Sequence, residues 1–270
     1  MGRIMKNNDF LKFFSFSSLL IFSLLIISII MAIISNITAE TLFSAILSKE
    51  IHFAIKLSVL TASIATIFGG ILGIPTAYAL ARYEFKGKFL IDSLVELPII
   101  LPPLITGFAL LVFFGSTEFG RFISENIIDV LFTPKGIVVA QFFVATPFIV
   151  RTSKSVFESI DEKYELIAQS LGSKRHESFI NVILPMAKNG IFTGLILAWA
   201  RSIGEFGATV MLAGATKMKT ETLPIAVFLN ISLGNFEKAL AVSFIFLVVA
   251  ITILSILKMI FNNGEKNDRF

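Results

Sequence analysis

A chain of 270 residues that is 55% apolar and only 16% charged has too little charge to coat a soluble globule of its size. Its formal net charge of +4 is spread over several short patches instead of one run, which argues against a basic arm for nucleic acid. There is no cysteine, which excludes disulfides, thiol catalysis and cysteine-ligated metals.

Uncharged runs of about 18 residues or more read as membrane spans. Residues 1–12 are polar and predict a loosely held tail. Phe13–Ala39 carries no charge and predicts a first span at 13–36. Its run is too long for the core of a signal peptide and no small-residue cleavage site follows, so it reads as a retained helix. Leu57–Ala81 predicts a second span at 54–82. Gly69, Gly73, Ala77 and Ala81 recur there at four-residue spacing, a stripe that lets helix backbones approach closely in lipid. No GKS or GKT follows these glycines, so they are not a phosphate loop.

The third span, 93–116, opens with Glu96-Leu97-Pro98 and runs through Leu101-Pro102-Pro103 to Thr106-Gly107. Three prolines so close together break or kink a helix and free carbonyls. At membrane depth freed backbone is tolerated where it is buried or faces a water-filled path. Pro102, Pro103, Thr106 and Gly107 are therefore path candidates, with simple packing as the alternative. Gly136–Val150 is short, but Lys135 and Arg151 can snorkel outward, giving a fourth span at 135–157. A charged segment at 161–186 follows.

The fifth span, 188–214, carries a second small stripe, Gly190, Gly194 and Ala198, and two charges, Arg201 and Glu205. Ionised residues four apart at membrane depth face a bundle interior, a cavity or each other. The pair is either a brace between helices or a gate that offers Arg201 to an anion. Ala239–Leu257 predicts a sixth span at 237–261, before a polar tail at 263–270.

Lysine and arginine counts orient the spans. With the N-terminus inside, inner segments hold fifteen, including Arg82, Lys86 and Lys88 and the group from Arg151 to Lys188; outer segments hold six. Both termini are then cytoplasmic, and the fold class is an all-α membrane protein with six transmembrane helices. His52 and His176 stand apart and alone, and nothing resembles a Ser-His-Asp, HExxH or paired-carboxylate site, so no catalytic or metal residue is predicted.

Within 161–186, Tyr164, Ile167, Ala168 and Leu171 fall on one helical stripe that ends near Gly172, a natural helix stop. A second helical piece runs from Phe179 to Leu184, and Pro185 leads into the fifth span. A short helix with an apolar stripe either fits a groove on a partner or lies on the membrane surface.

These residues resemble the coupling motif of binding-protein-dependent ABC importer permeases with a MetI-like transmembrane domain. That motif reads EAA, three residues, Gly, nine residues, then I-x-LP. Here Gly172 is followed after nine residues by Val182-Ile183-Leu184-Pro185. Of the EAA positions, Leu166, Ile167 and Ala168, only the last matches, and Glu165 stands one position early. The stretch from Ala200 through Arg201, Glu205 and Phe206 to Gly214 is similar to the fifth-helix signature of molybdate and tungstate permeases. Leu101–Gly107 and Thr220–Ala226 fit the same group, and the resemblance covers roughly residues 50–260.

The resemblance implies a non-enzymatic permease subunit in the cytoplasmic membrane. It implies a homodimer of this chain, a pair of ABC ATPase subunits that hold the ATP and magnesium, and an extracytoplasmic molybdate/tungstate-binding protein. The stretch with Glu165, Ala168, Gly172, Ser173, Leu184 and Pro185 would be a cytoplasmic coupling helix between the fourth and fifth spans. A sulfate permease fits the same charge and shape of cargo. An ATPase-independent channel or secondary transporter would need relay groups within the spans, where only Glu205 qualifies. A membrane scaffold would give no reason for the coupling-like segment.

Overall fold

The computed structural model describes residues 2–267, and the side chains of residues 10–259. Every regular element among them is a helix. In chain order these are α1 (Gly2–Ser35), α2 (Ala39–Leu47), α3 (Lys49–Arg82), α4 (Lys88–Ile100), α5 (Pro103–Ser116), α6 (Glu118–Asn126) and α7 (Pro134–Ser159). Then follow α8 (Lys163–Ser170), α9 (Arg175–Ser178), α10 (Leu184–Ile203), α11 (Gly207–Ala213), α12 (Leu223–Ser232) and α13 (Phe236–Asn267). A π turn, Phe179–Ile183, joins α9 to α10, so 175–203 is one rod of 29 residues.

Five of the described helices are long and apolar enough to cross a membrane, and six spans result if α4 and α5 count as one. Helix starts follow local chemistry. Thr38, Thr117 and Thr133 accept backbone N–H groups at the starts of α2, α6 and α7. Proline sits in the first turn of α5, α7 and α12, where its missing N–H costs nothing.

The centre of the bundle is α7. Both small-residue stripes are seats for it. A Cβ at Gly69 would stand 2.9 Å from Thr146 Oγ1, and one at Gly73 would stand 3.3 Å from Val150. On the other side, a Cβ at Gly194 would stand 3.2 Å from Thr152, and one at Gly190 would collide with Val156. The order of these contacts makes α3 parallel to α7 and α10 antiparallel to it. Lipid gives no hydrophobic drive between helices, so this close approach is what dispersion needs to hold them. One end of the bundle thus carries Arg82, α8 and α9. The opposite end carries α2, α6 and residues 214–222.

The helices depart from the predicted spans in three places. The third span, 93–116, is not one kinked helix: α4 and α5 meet at 114°, with the break at Leu101-Pro102. Pro98 stays inside α4, whereas Pro102 and Pro103 together remove two successive donors and turn the chain. The fifth span, 188–214, starts earlier, at Leu184, and stops at Ile203; 207–213 is a separate helix. Neither α2, α6 nor α12 was expected, since none is long enough to leave a span-length run. α1 and α13 extend into the polar tails over 2–12 and 263–267, while residues 1 and 268–270 lie outside the described residues.

Candidate functional site

Two places gather the residues singled out by sequence. The first is the end of the bundle that holds α8. This helix closes with paired backbone bonds: Gly172 N–H donates to Gln169 O at 3.0 Å and Ser173 N–H donates to Ala168 O at 3.1 Å. That reciprocal closure needs a left-handed residue at Gly172, whose φ is +97°. Ala168 and Ser173 therefore supply backbone, not side chains, to the turn. Glu177 accepts the Lys174 N–H at 2.7 Å and starts α9. Pro185 cannot donate to the turn before it, and the π turn at 179–183 absorbs the mismatch, with Leu184 N–H donating to Phe179 O.

The two faces of α8 are the reverse of an ordinary amphipathic helix. Its large apolar side chains, Tyr164, Leu166, Ile167 and the following Leu171, are exposed, Leu171 at 82%. Its buried residue is the carboxylate of Glu165, only 6% exposed. Arg82, at the end of α3, reaches Glu165 at 3.1 Å and donates to Ile160 O at 2.7 Å. Tyr78 donates its hydroxyl hydrogen to the other Glu165 oxygen at 3.0 Å. A cavity of about 240 Å³ beside this cluster is lined by Arg82, Glu162, Glu165, Leu166, Gln169 and Arg175. Sequence reading singled out Glu165 but missed Tyr78 and Arg82. Its only signal for Arg82 was a basic residue at a helix end.

The second place is the break between α10 and α11. Arg201 Nη1 lies 2.7 Å from Glu205 Oε2, and Glu205 Oε1 accepts the Ala208 N–H at 2.8 Å. Gln141 of α7 donates to Ser202 O at 2.9 Å, a carbonyl at the break that also accepts the Glu205 N–H at 3.0 Å. Glu205 is thus both the counter-ion of Arg201 and the acceptor that opens α11. Its side chain is 1% exposed, whereas that of Arg201 is 29% exposed and reaches out of the packed core.

α5 crosses α11 at this point. A Cβ at Gly107 would stand 2.5 Å from Ala208 Cα, and one at Gly207 would stand 3.0 Å from Leu104 N. The structure therefore brings Pro103 and Gly107 against the residues just after Glu205. Thr106 and Gly107 are buried, while Pro102 is exposed at the elbow. Gly107 is where two backbones touch, and the open surface here belongs to Arg201. The first turn of α5 packs beside Gly207, so the positive end of its helix dipole lies in this neighbourhood.

At the opposite end, Glu50 binds Lys217 at 2.7 Å and Lys238 at 3.3 Å, tying the starts of α3 and α13 to the 214–222 loop. Hydrogen bonding to Glu50 holds the Lys217 ammonium above its ordinary pKa. Among the described residues no group of three or more His, Cys, Asp or Glu side chains could hold a metal ion.

Comparison with known proteins gives a consistent assignment. The family described as "Binding-protein-dependent transport system inner membrane component" matches residues 69–263. The sulfate transport system permease protein of Salmonella typhimurium is 34% identical over 232 residues, 86% of this chain and 84% of that protein. The molybdenum ABC transporter permease protein of Haloferax volcanii, designated probable, is 39% identical over 194 residues, 72% of this chain and 70% of that one. Among solved structures, a bacterial ABC transporter involved in the import of the acidic polysaccharide alginate superposes with a TM-score of 0.70. It is 17% identical and covers 84% of each chain, a likeness of fold alone.

Proposed function

Because the chain belongs to the binding-protein-dependent transport system inner membrane components, as a permease subunit of an ABC importer with ATP hydrolysis on a separate subunit, we propose that its cargo is the molybdate or tungstate dianion. What carries the oxyanion part of this assignment is Arg201, and its molybdate or tungstate part is supported by the 39% identity to the Haloferax volcanii permease. A guanidinium at membrane depth, partly open and backed by a buried carboxylate that fixes its position, offers a moving anion a stationary cation without a tight site. The first turn of α5 adds to the same field.

The chain works as one half of a homodimer. An extracytoplasmic binding protein delivers the dianion to the end that holds α2, α6 and 214–222. Both termini and α8 lie in the cytoplasm. The exposed apolar face of α8 sits in a groove on the ATPase, and ATP-driven closure of the ATPase pair moves α8 and the rod 175–203, which switches the path between its two openings. Selectivity resides mainly in the binding protein.

Sulfate is the second reading, favoured by a specific observation: the Salmonella sulfate permease matches over 86% of the chain, more than the molybdenum relative does. One experiment separates them. The complex of this chain, its ATPase and its binding protein is reconstituted, and ATP hydrolysis is followed with tungstate, molybdate or sulfate in turn. Stimulation by tungstate or molybdate and not by sulfate is expected; stimulation by sulfate alone replaces the cargo.

A further inference from the structure

The importer mechanism accounts for the exposed face of α8 but not for its buried face. A buried carboxylate there, ion-paired with Arg82 and hydrogen-bonded by Tyr78, is an unusual choice, because an apolar side chain would hold the helix to the bundle without any desolvation cost. Resting on the permease reading above, we propose that Glu165, Arg82 and Tyr78 form a lock that makes α8 and the end of α3 one rigid unit. A pull on α8 then moves α3, and with it α7, as well as α10.

The geometry is specific. The side chains of Arg82 and Glu165 are 5% and 8% exposed, so water screens them little. Arg82 is held at two of its nitrogens, its Nε beside Glu165 and its Nη2 donating to Ile160 O. Ile160 is the residue that leaves α7 towards α8, so the entry to the segment is tied to α3. Its exit is tied as well. The Tyr78 ring lies 4.4 Å from Phe179 in the π turn and 5.5 Å from Phe157 of α7, centroid to centroid. Arg175 stacks 4.6 Å above Tyr83, just past the end of α3. The three residues thus sit where the incoming helix, α8 and the outgoing rod converge.

Direction matters too. The lock occupies the face of α8 away from Ile167 and Leu171, so a partner gripping the apolar face leaves it intact. Without the lock, α8 would hang between the Ile160 turn and the Gly172 turn, joined to α7 and α10 only through those turns and without a direct ion-pair hold on α3. Arg82 and Tyr78 are positioning residues: they touch neither cargo nor nucleotide.

The test uses the reconstituted complex and the absence of native cysteine. Spin labels at Lys86→Cys, in the turn just after α3, and Ser170→Cys, both exposed, report the distance between that turn and α8. With the lock intact, that distance is the same before and after the ATPase is trapped with vanadate; in Arg82→Gln it changes on trapping. Ions moved per ATP fall about fivefold in Arg82→Gln, while Arg82→Lys and Tyr78→Phe, which keep part of the lock, lose about twofold. Tyr78→Phe removes one hydroxyl only, so it reports even where Arg82→Gln assembles poorly.

A distance that shifts on trapping with the lock residues unaltered would overturn the lock and leave the importer reading standing. So would Arg82→Gln and Tyr78→Phe variants that transport as many ions per ATP as the native chain. A native chain that binds no ATPase would sink the importer reading and the lock together.

Discussion

Glu205 is 1% exposed, and its two oxygens have separate duties: one faces Arg201 and the other accepts the first free N–H of α11. Removing the cation leaves the anion buried with half its compensation. Arg201→Ala is expected to cost about 2 kcal/mol, less than a fully buried pair because Arg201 is partly solvated. Glu205→Gln keeps an acceptor for Ala208 and leaves the cation where solvent reaches it, so it costs less. The double variant recovers most of the Arg201→Ala loss, since no charge then remains uncompensated. Thermal unfolding of the three detergent-solubilised variants measures this; a double variant no more stable than Arg201→Ala would mean the pair does not brace the break. The sequence pointed to this pair because charges inside an apolar run stand out. The role of Glu205 in opening α11 was not legible, because nothing in the composition of 188–214 marked a second helix beginning at Gly207.

The coupling-like segment shows how far pattern alone reaches. Its apolar stripe and its stop at Gly172 follow from a 3.6-residue period and a glycine, both local signals. The inward direction of Glu165 does not, because its partner Tyr78 is 87 residues away and a carboxylate on a short charged helix is ordinarily solvated. The bend between α4 and α5 divides in the same way. Pro102 and Pro103 announce a break, but its 114° angle comes from the seat of α5 on α11, where Gly107 lets the backbones touch. α12 was invisible because ten residues, mostly apolar, are too few for a span.

Gly172 carries the prediction at this scale. Nothing lies within 4 Å of a Cβ built there, so a substitution meets only the backbone penalty of its φ of +97°. Alanine and leucine should therefore cost about the same, on the order of 1 kcal/mol, and asparagine less. The loss is local, so amide hydrogen exchange across α8 should speed up equally in Gly172→Ala and Gly172→Leu. A much larger effect from leucine would mean that a neighbour fills the space beside this turn.

A dianion moving into a cell held at 100 mV, negative inside, climbs about 4.6 kcal/mol, two charges at about 2.3 each. For the proposed cargo no gradient of a trace ion supplies that, so its import would need the partner ATPase and a path that is never open at both ends. On the proposed reading, one copy of this chain would leave such a path open on one side of Arg201, whose side chain is 29% exposed. The guanidinium reaches outward from a core packed at Gly69, Gly73, Gly190 and Gly194, so an ion meeting it would have lipid on its other side. If the path runs past Arg201, as proposed above, a second wall is required, and a second copy, related by a two-fold axis, would supply the same surface and a second Arg201. Leu104 lies at this surface, half-exposed and next to Gly207. In a chain without native cysteine, Leu104→Cys should form a disulfide-linked pair of copies under mild oxidation in the membrane. Its yield should change when the ATPase is trapped with vanadate, because the two walls separate at one end as they close at the other. Copies that stay monomeric with Leu104→Cys, and run as monomers when solubilised with their ATPase, would remove the second wall. The path would then have to lie inside a single bundle that its own glycines keep shut.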